Sequence, residues 1–247
     1  MVEVALGSVW EIDVELIKER VTARTKAIVA NSLHNPTESV YSESYLRQLA
    51  EFAIERDIYI ITDESYDFLV NGYYFNISHL DSLRGRVVRC GSYSKRFGMT
   101  GWRIGYLYAE GDVMARIMRV HDNISVCAPH LAQEAVWYGL SHEIKEMREN
   151  FVQMSHQREI AVSALRELGD MVIFNEPQGV FYIMLGYRHG VSITEIAQRL
   201  LREARVFALP GALFGTLGEG YLRISYGGGG RGSCPILLTF LACIMIV

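Results

Sequence analysis

Arg86–Lys95 reads RVVRCGSYSK, and its two halves obey different rules. The first half is a compact run with paired valines, the mark of a strand, as is the apolar run Lys26–Asn31, which reads as buried on both faces of a sheet. The second half is small, polar and ends on a lysine, so the strand stops there and a turn begins. The same switch occurs twice upstream. Lys26–Asn31 (KAIVAN) runs into His34-Asn35-Pro36-Thr37, and Ile58–Thr62 (IYIIT) runs into Asp63-Glu64-Ser65-Tyr66. Arg103–Tyr108 (RIGYLY) reads as a fourth strand and Val2–Leu6 as a further short one.

Helical patterns fill the gaps. Asp13–Arg20 has acidic residues early and basic residues late, as the helix dipole prefers. Ser42 is placed to cap a second helix, with Tyr41 and Leu46 as a hydrophobic staple and apolar spacing running through to Arg56. Strands separated by helices predict an α/β fold with a mostly parallel sheet and flanking helices. In such sheets ligands sit at the carboxyl ends of the strands. Here every such end carries polar, reactive residues: Asn35, Asp63 with Tyr66, and Ser92 with Lys95.

The second half changes pattern. Pro129–Leu140 reads as a helix and Glu143–Leu168 as one long helix. Val172–Leu185 reads as two strands around Pro177 and Gly179, Ile193–Ala204 as a helix, and Val206–Leu209 and Tyr221–Ser225 as short strands. This divides the chain into a large α/β part over 1–142, a linking helix over 143–168 and a smaller α+β domain over 169–230. An apolar tail over 231–247 reads as foreign to that fold, as a shifted reading frame would produce. The last 13 residues, Pro235–Val247, are too few to cross a bilayer as a helix, which takes about 20.

Composition narrows the function. Half of the 247 residues are apolar and 21% are charged, which excludes a disordered or fibrous chain. A net charge of −4 offers no basic surface for nucleic acid or an anionic membrane. Cys90, Cys127, Cys234 and Cys243 are scattered, with neither metal-ligand spacing nor a disulfide framework, so a reducing, cytoplasmic setting is expected.

Each polar strand end has an ordinary reading beside a chemical one. Lys95 is a solvated surface charge, or a nucleophile once its ammonium is desolvated in the Ser/Gly-rich loop. Asp63 is a helix cap, or a counter-ion for a protonated ring nitrogen. Arg103 makes a surface salt bridge, or binds an anion such as phosphate. Tyr66 is a core aromatic and Asn35 a turn residue, unless their successive placement gives them a shared ligand.

Taken in order, His34-Asn35-Pro36-Thr37, Asp63-Glu64-Ser65-Tyr66, Ser92-Tyr93-Ser94-Lys95 and Met99-Thr100-Gly101-Trp102-Arg103-Ile104-Gly105-Tyr106 resemble the class I/II aminotransferases, pyridoxal 5′-phosphate (PLP) enzymes of fold type I. The resemblance implies that Lys95 forms the Schiff base with PLP. It implies that Asp63 pairs with the pyridine nitrogen, that Tyr66 and Asn35 hydrogen-bond the ring oxygen, and that Ser92 and Arg103 hold the phosphate. Arg223 would clamp the substrate carboxylate, with Asn35 beside it. The implied reaction moves an amino group between an amino acid and a 2-oxo acid, in a protein that is a homodimer in this family. A PLP-dependent lyase of the same fold, or a non-catalytic remnant, are the alternatives.

The sequence departs from the family in three places. Glu38 stands where the family motif has glycine. The family's N-terminal segment, with its glycine-rich phosphate loop and two sheet strands, has no counterpart before Val2. The Gly227–Gly230 run and apolar tail replace a helix. A truncated chain with an exposed sheet edge is therefore expected. It should bind PLP weakly, since losing even two charge-assisted N–H bonds costs about 3–6 kcal/mol.

Overall fold

The computed structural model describes residues 1–7, 10–179, 181–187 and 192–227. The apolar tail over 231–247 lies outside the described residues.

Four strands form the first sheet, in the order β1 (Ala27–Asn31), β2 (Tyr59–Asp63), β3 (Val87–Ser92), β4 (Gly105–Ala109). β1 with β2 and β2 with β3 are parallel, whereas β4 runs antiparallel to β3. The β1–β2 crossover is made by helix α2 (Glu43–Glu55). Its Ser42 cap accepts from the Tyr45 amide, and Tyr41 and Leu46 are both buried, as the staple requires. Helix α1 (Val14–Arg20) starts on Asp13, whose carboxylate accepts from the amides of Glu15 and Leu16. Leu46, Leu49 and Ala53 of α2 join Ile58, Ile60 and Val87 in one core under the sheet.

A short helix α3 (Tyr93–Arg96) leaves β3 directly and is followed by a tight return to β4. That return needs glycine. A Cβ on Gly105 would stand 2.5 Å from the Gly91 carbonyl oxygen across the ladder. Helices α4 (Asp112–Ile124), α5 (His130–Ser141) and α6 (Lys145–Arg166) follow.

The second sheet is wholly antiparallel, in the order β5 (Val172–Phe174), β6 (Tyr182–Tyr187), β8 (Tyr221–Ser225), β7 (Leu209–Pro210). The late residues of α6 and helix α7 (Ile193–Arg199) cover it, with Leu165, Ile183, Leu185, Leu200 and Leu222 at its centre. The earlier α6 residues Phe151 and Met154 instead pack on a third cluster, where Leu33, Tyr66 and Leu69 meet Tyr182. That cluster is the seam between the two sheets.

Four expectations need correction. Val2–Leu6 forms no strand; Val4 and Leu6 lean on the first core and Glu3 accepts from the Thr216 amide at 3.3 Å. Arg103 lies outside β4, because its φ of +54° is a left-handed conformation that a strand cannot contain. The strand expected at Val206–Leu209 is reduced to Leu209–Pro210: Arg205 is left-handed at φ +58° and the Val206 amide donates to the Leu200 carbonyl at 3.0 Å, so the chain is still closing the preceding helix there. Lys26–Asn31 is not buried on both faces: β1 is an edge strand and Val29 is 62% exposed.

Candidate functional site

Parallel register puts the polar strand ends side by side. Asn31 is opposite Asp63 and Asp63 opposite Cys90, so the residues just beyond each strand share one end of the sheet. Ser92 follows Cys90 by two residues and begins α3, which carries Lys95. Asp63, Ser92 and Lys95 thus stand at the same sheet end.

The seam links the other expected residues by hydrogen bonds. The Asn35 amide donates to the Tyr66 phenol at 3.3 Å, and Arg223 Nη1 donates to Asn35 Oδ1 at 2.9 Å. The Arg223 guanidinium lies over the rings of Tyr182, at 4.2 Å, and Phe214, at 4.4 Å. Such packing fixes its plane and leaves the remaining donors of its fork to a planar anion. Tyr66 packs edge-on against Phe181 at 6.1 Å, and Lys95 Nζ lies 5.5 Å from the centre of that same ring. Asn35, Tyr66, Lys95 and Arg223 are therefore gathered around one pair of aromatics, Phe181 and Tyr182.

The electrostatics follow from burial. Burial first, and the neighbouring Tyr182 phenol second, push the Tyr66 hydroxyl well above its usual range, so it remains a proton donor. His34 is held down to about 4 by burial and stays neutral, with Nδ1 2.8 Å from Thr37 Oγ1. Behind β2, the buried Glu64 meets Arg89 at 2.5 Å, and Asp67 meets Arg89 at 3.3 Å and Arg96 at 3.1 Å. This ion network ties the Asp63–Asp67 turn to α3, and so holds the segment carrying Lys95.

Three expected residues are engaged locally. Asp63 Oδ1 accepts from the Ser65 amide at 3.1 Å and its hydroxyl at 2.7 Å, which closes an Asx turn and not a helix cap: the short helix that follows, Asp67–Leu69, starts from Tyr66. Ser92 Oγ caps α3 by accepting from the Ser94 amide at 3.2 Å. Arg103 is exposed and donates to the Thr100 carbonyl at 3.0 Å, with no polar link to Ser92. The structure does not bring its side chain into the group around Phe181.

Phe181, Tyr182 and Phe214 were not singled out from sequence. An aromatic in a strand looks like core, and nothing local marks these as the walls around Arg223.

The arrangement suits PLP. Among the described residues Lys95 has no carboxylate partner, and Asp63 Oδ2 takes no hydrogen bond. Together they offer an amine and an acid at one sheet end, beside a phenol and an amide. No described helix is long and apolar enough to cross a membrane.

The model of the family "Aminotransferase class I and II" matches residues 1–241. The putative aminotransferase YugH of Bacillus subtilis is 36% identical over 208 residues, 83% of this chain and 53% of the relative. Aromatic-amino-acid aminotransferase 2 of Thermococcus litoralis is 33% identical over 225 residues, 88% of this chain and 57% of its own. Among solved structures, aspartate aminotransferase from Thermotoga maritima superposes with a TM-score of 0.89 at 28% identity, covering 100% of this chain and 63% of that one. The aromatic aminotransferase from Pyrococcus horikoshii gives 0.86 at 30% identity, covering 94% and 62%. The chain thus spans just over half the length of these curated relatives. With the family model matched along nearly its whole length, and the polar strand ends gathered at one seam, the chain belongs to the class I and II aminotransferases.

Proposed function

We propose that this chain carries the core of a PLP-dependent aminotransferase that moves an amino group between an amino acid and a 2-oxo acid. The observation that carries the reading is the chain of contacts from Arg223 through Asn35 and Tyr66 to Phe181, over which Lys95 lies. The relatives' names, which include aspartate and aromatic-amino-acid aminotransferases, support the reaction class.

PLP, when bound, supplies an aldehyde and an electron-withdrawing ring that acidifies the α-carbon of an amino acid. The rest falls to the protein. Lys95 Nζ would anchor PLP covalently and would serve as the base that moves the proton on and off the α-carbon. The Asp63 carboxylate holds a proton on the ring nitrogen. Tyr66 and Asn35 donate to the ring oxygen, and burial keeps the Tyr66 proton in place for that task. Ser92 and Arg103 are the side chains for the phosphate, for which Arg103 must swing from the Thr100 carbonyl. Arg223 takes the substrate carboxylate in its fork, braced by Tyr182 and Phe214. In this reading the protein is cytoplasmic and pairs as a homodimer, which would cover part of the exposed apolar face of α5.

Borohydride reduction of the chain with PLP, followed by peptide mass mapping, tests this. The wild type should gain one reduced pyridoxyl group, on Lys95, and Lys95→Ala should gain none. Labelling spread over other lysines, or absent from Lys95, would sink the proposal.

A further inference from the structure

Glu38 plays no part in the chemistry above, yet it lies at the heart of the seam. Its side chain is fully buried, and neither carboxyl oxygen has a hydrogen-bond partner. Its φ of +57° is left-handed, a conformation that disfavours residues with a side chain. The backbone around it is well tied down. The Glu38 amide donates to the His34 carbonyl at 2.6 Å, and the Gln178 amide donates to the Glu38 carbonyl at 2.9 Å. Gly179 makes room for the carboxyl, since a Cβ there would collide with Oε2.

The groups facing this acid come from every side of the seam. Arg223 of β8 is the cation whose charge acts on it. The Phe181 amide of the segment before β6 points toward it and lowers its pKa, without the alignment that would satisfy either oxygen. The phenols of Tyr66 and Tyr226 are each pushed up in part by its charge, and Leu33 closes the apolar side. Arg158 of α6 acts on Tyr226 and donates to the Pro177 carbonyl at 2.9 Å. Burial outweighs all the cationic help and pushes the Glu38 carboxyl up to about 8.

We propose that Glu38 is a positioning residue that sets how much of the Arg223 charge a ligand carboxylate can use. As the neutral acid it leaves the guanidinium to an incoming carboxylate; as the anion it pairs with Arg223 and competes for it. Arg223 already spends one donor on Asn35, three residues from Glu38, so a second internal acceptor would leave little for substrate. Carboxylate affinity then falls as pH rises through the Glu38 titration. This rests on the reading of Arg223 as the substrate-carboxylate clamp.

The test follows the ¹³C carboxyl resonances of the full chain against pH, with succinate as the probe because both of its carboxyls are already ionised above neutrality. The Glu38 midpoint should lie far above that of the exposed glutamates. It should rise further in Arg223→Gln and on saturation with succinate. Succinate affinity of the wild type should drop roughly tenfold between pH 7 and 9, and that of Glu38→Gln should stay flat. A Glu38 midpoint in the ordinary carboxylate range overturns the proposal. So does a midpoint indifferent to both Arg223→Gln and succinate, or an equal pH dependence in Glu38→Gln. If succinate binds neither protein at any pH, the clamp reading of Arg223 fails, and the midpoint shift in Arg223→Gln still decides whether the two side chains are coupled. If Arg223→Gln does not fold, the comparison with Glu38→Gln decides.

Discussion

The two sheet regions bury their apolar surface to very different extents. Around β5–β8, the late turns of α6 and helix α7 close over the sheet, and Leu165, Ile183, Leu185, Leu200 and Leu222 are each 1% exposed. Around β1–β4, one face is as well packed, but the rest is open. Val29 of β1, Leu107 and Tyr108 of β4, and Leu131 and Trp137 of α5 are all exposed, and α4 buries no residue at all. Equally apolar runs therefore end in opposite environments. What decides is whether another element covers the face, because the hydrophobic effect acts on area removed from water and not on residue type. The candidate site lies where the two regions touch, so it takes Asn35, Asp63, Tyr66 and Lys95 from the open region and Arg223 from the closed one.

The sharpest way to break this comparison is to truncate one leucine in each region. Leu185→Ala should cost about 3–4 kcal/mol, since it leaves a cavity in a closed core. Leu131→Ser on α5 should stay within about 0.5 kcal/mol. Urea denaturation measures both. Similar losses at the two positions would mean that the open face is covered in solution.

A middle-sized effect probes the seam itself. Burial raises the Glu38 carboxyl from 4.5 to about 8, so the folded chain keeps a proton that the unfolded chain has lost between those values. Its stabilising contribution is whole below about pH 4.5 and is lost as pH rises to about 8. His34 has the opposite sign: its folded value, lowered from 6.5 to about 4, costs stability as pH falls below 6.5. Between pH 6.5 and 8 the Glu38 effect is thus free of the His34 one. Over that interval the wild type should lose about 1.5–2 kcal/mol relative to Glu38→Gln. A constant difference between the two proteins would show that the seam admits enough water to ionise Glu38 at its ordinary value.

The smallest effect sharpens the open side. Asp13→Ala removes a cap that serves two amides at the start of α1 and should cost about 1 kcal/mol by thermal or urea denaturation. A larger loss would show that α1, whose Val14 and Ile17 enter the first core, holds more of that region than its length suggests.

Local signals carried much of this protein. Valine and isoleucine runs marked β1, β2 and β3, the serine and aspartate caps marked the starts of α2 and α1, and the polar breaks after each strand marked the residues of the candidate site. The order Asn35, Asp63, Tyr66, Lys95 was legible because each lies at or within a few residues of the carboxyl end of a strand. Helix α4 was missed although Val113, Ile117, Val120 and Ile124 recur at helical spacing; the structure leaves that apolar stripe without a buried residue.

By itself, the sequence determined most of the elements, the caps of α1 and α2 and the identity of the candidate site side chains, because periodicity, capping and turn chemistry act over a few residues. Only the tertiary structure decided the rest. It turned β4 antiparallel through the close approach of Gly91 and Gly105. It left Val29 on an open edge, and it set Arg223 against Asn35 across 188 residues of chain. It also buried Glu38, read in sequence only as a departure from the family's glycine, against Gly179. The physical reason is the same in each case: strand direction, exposure and the partners of a charge depend on which other surfaces arrive, and those arrive from distant parts of the chain.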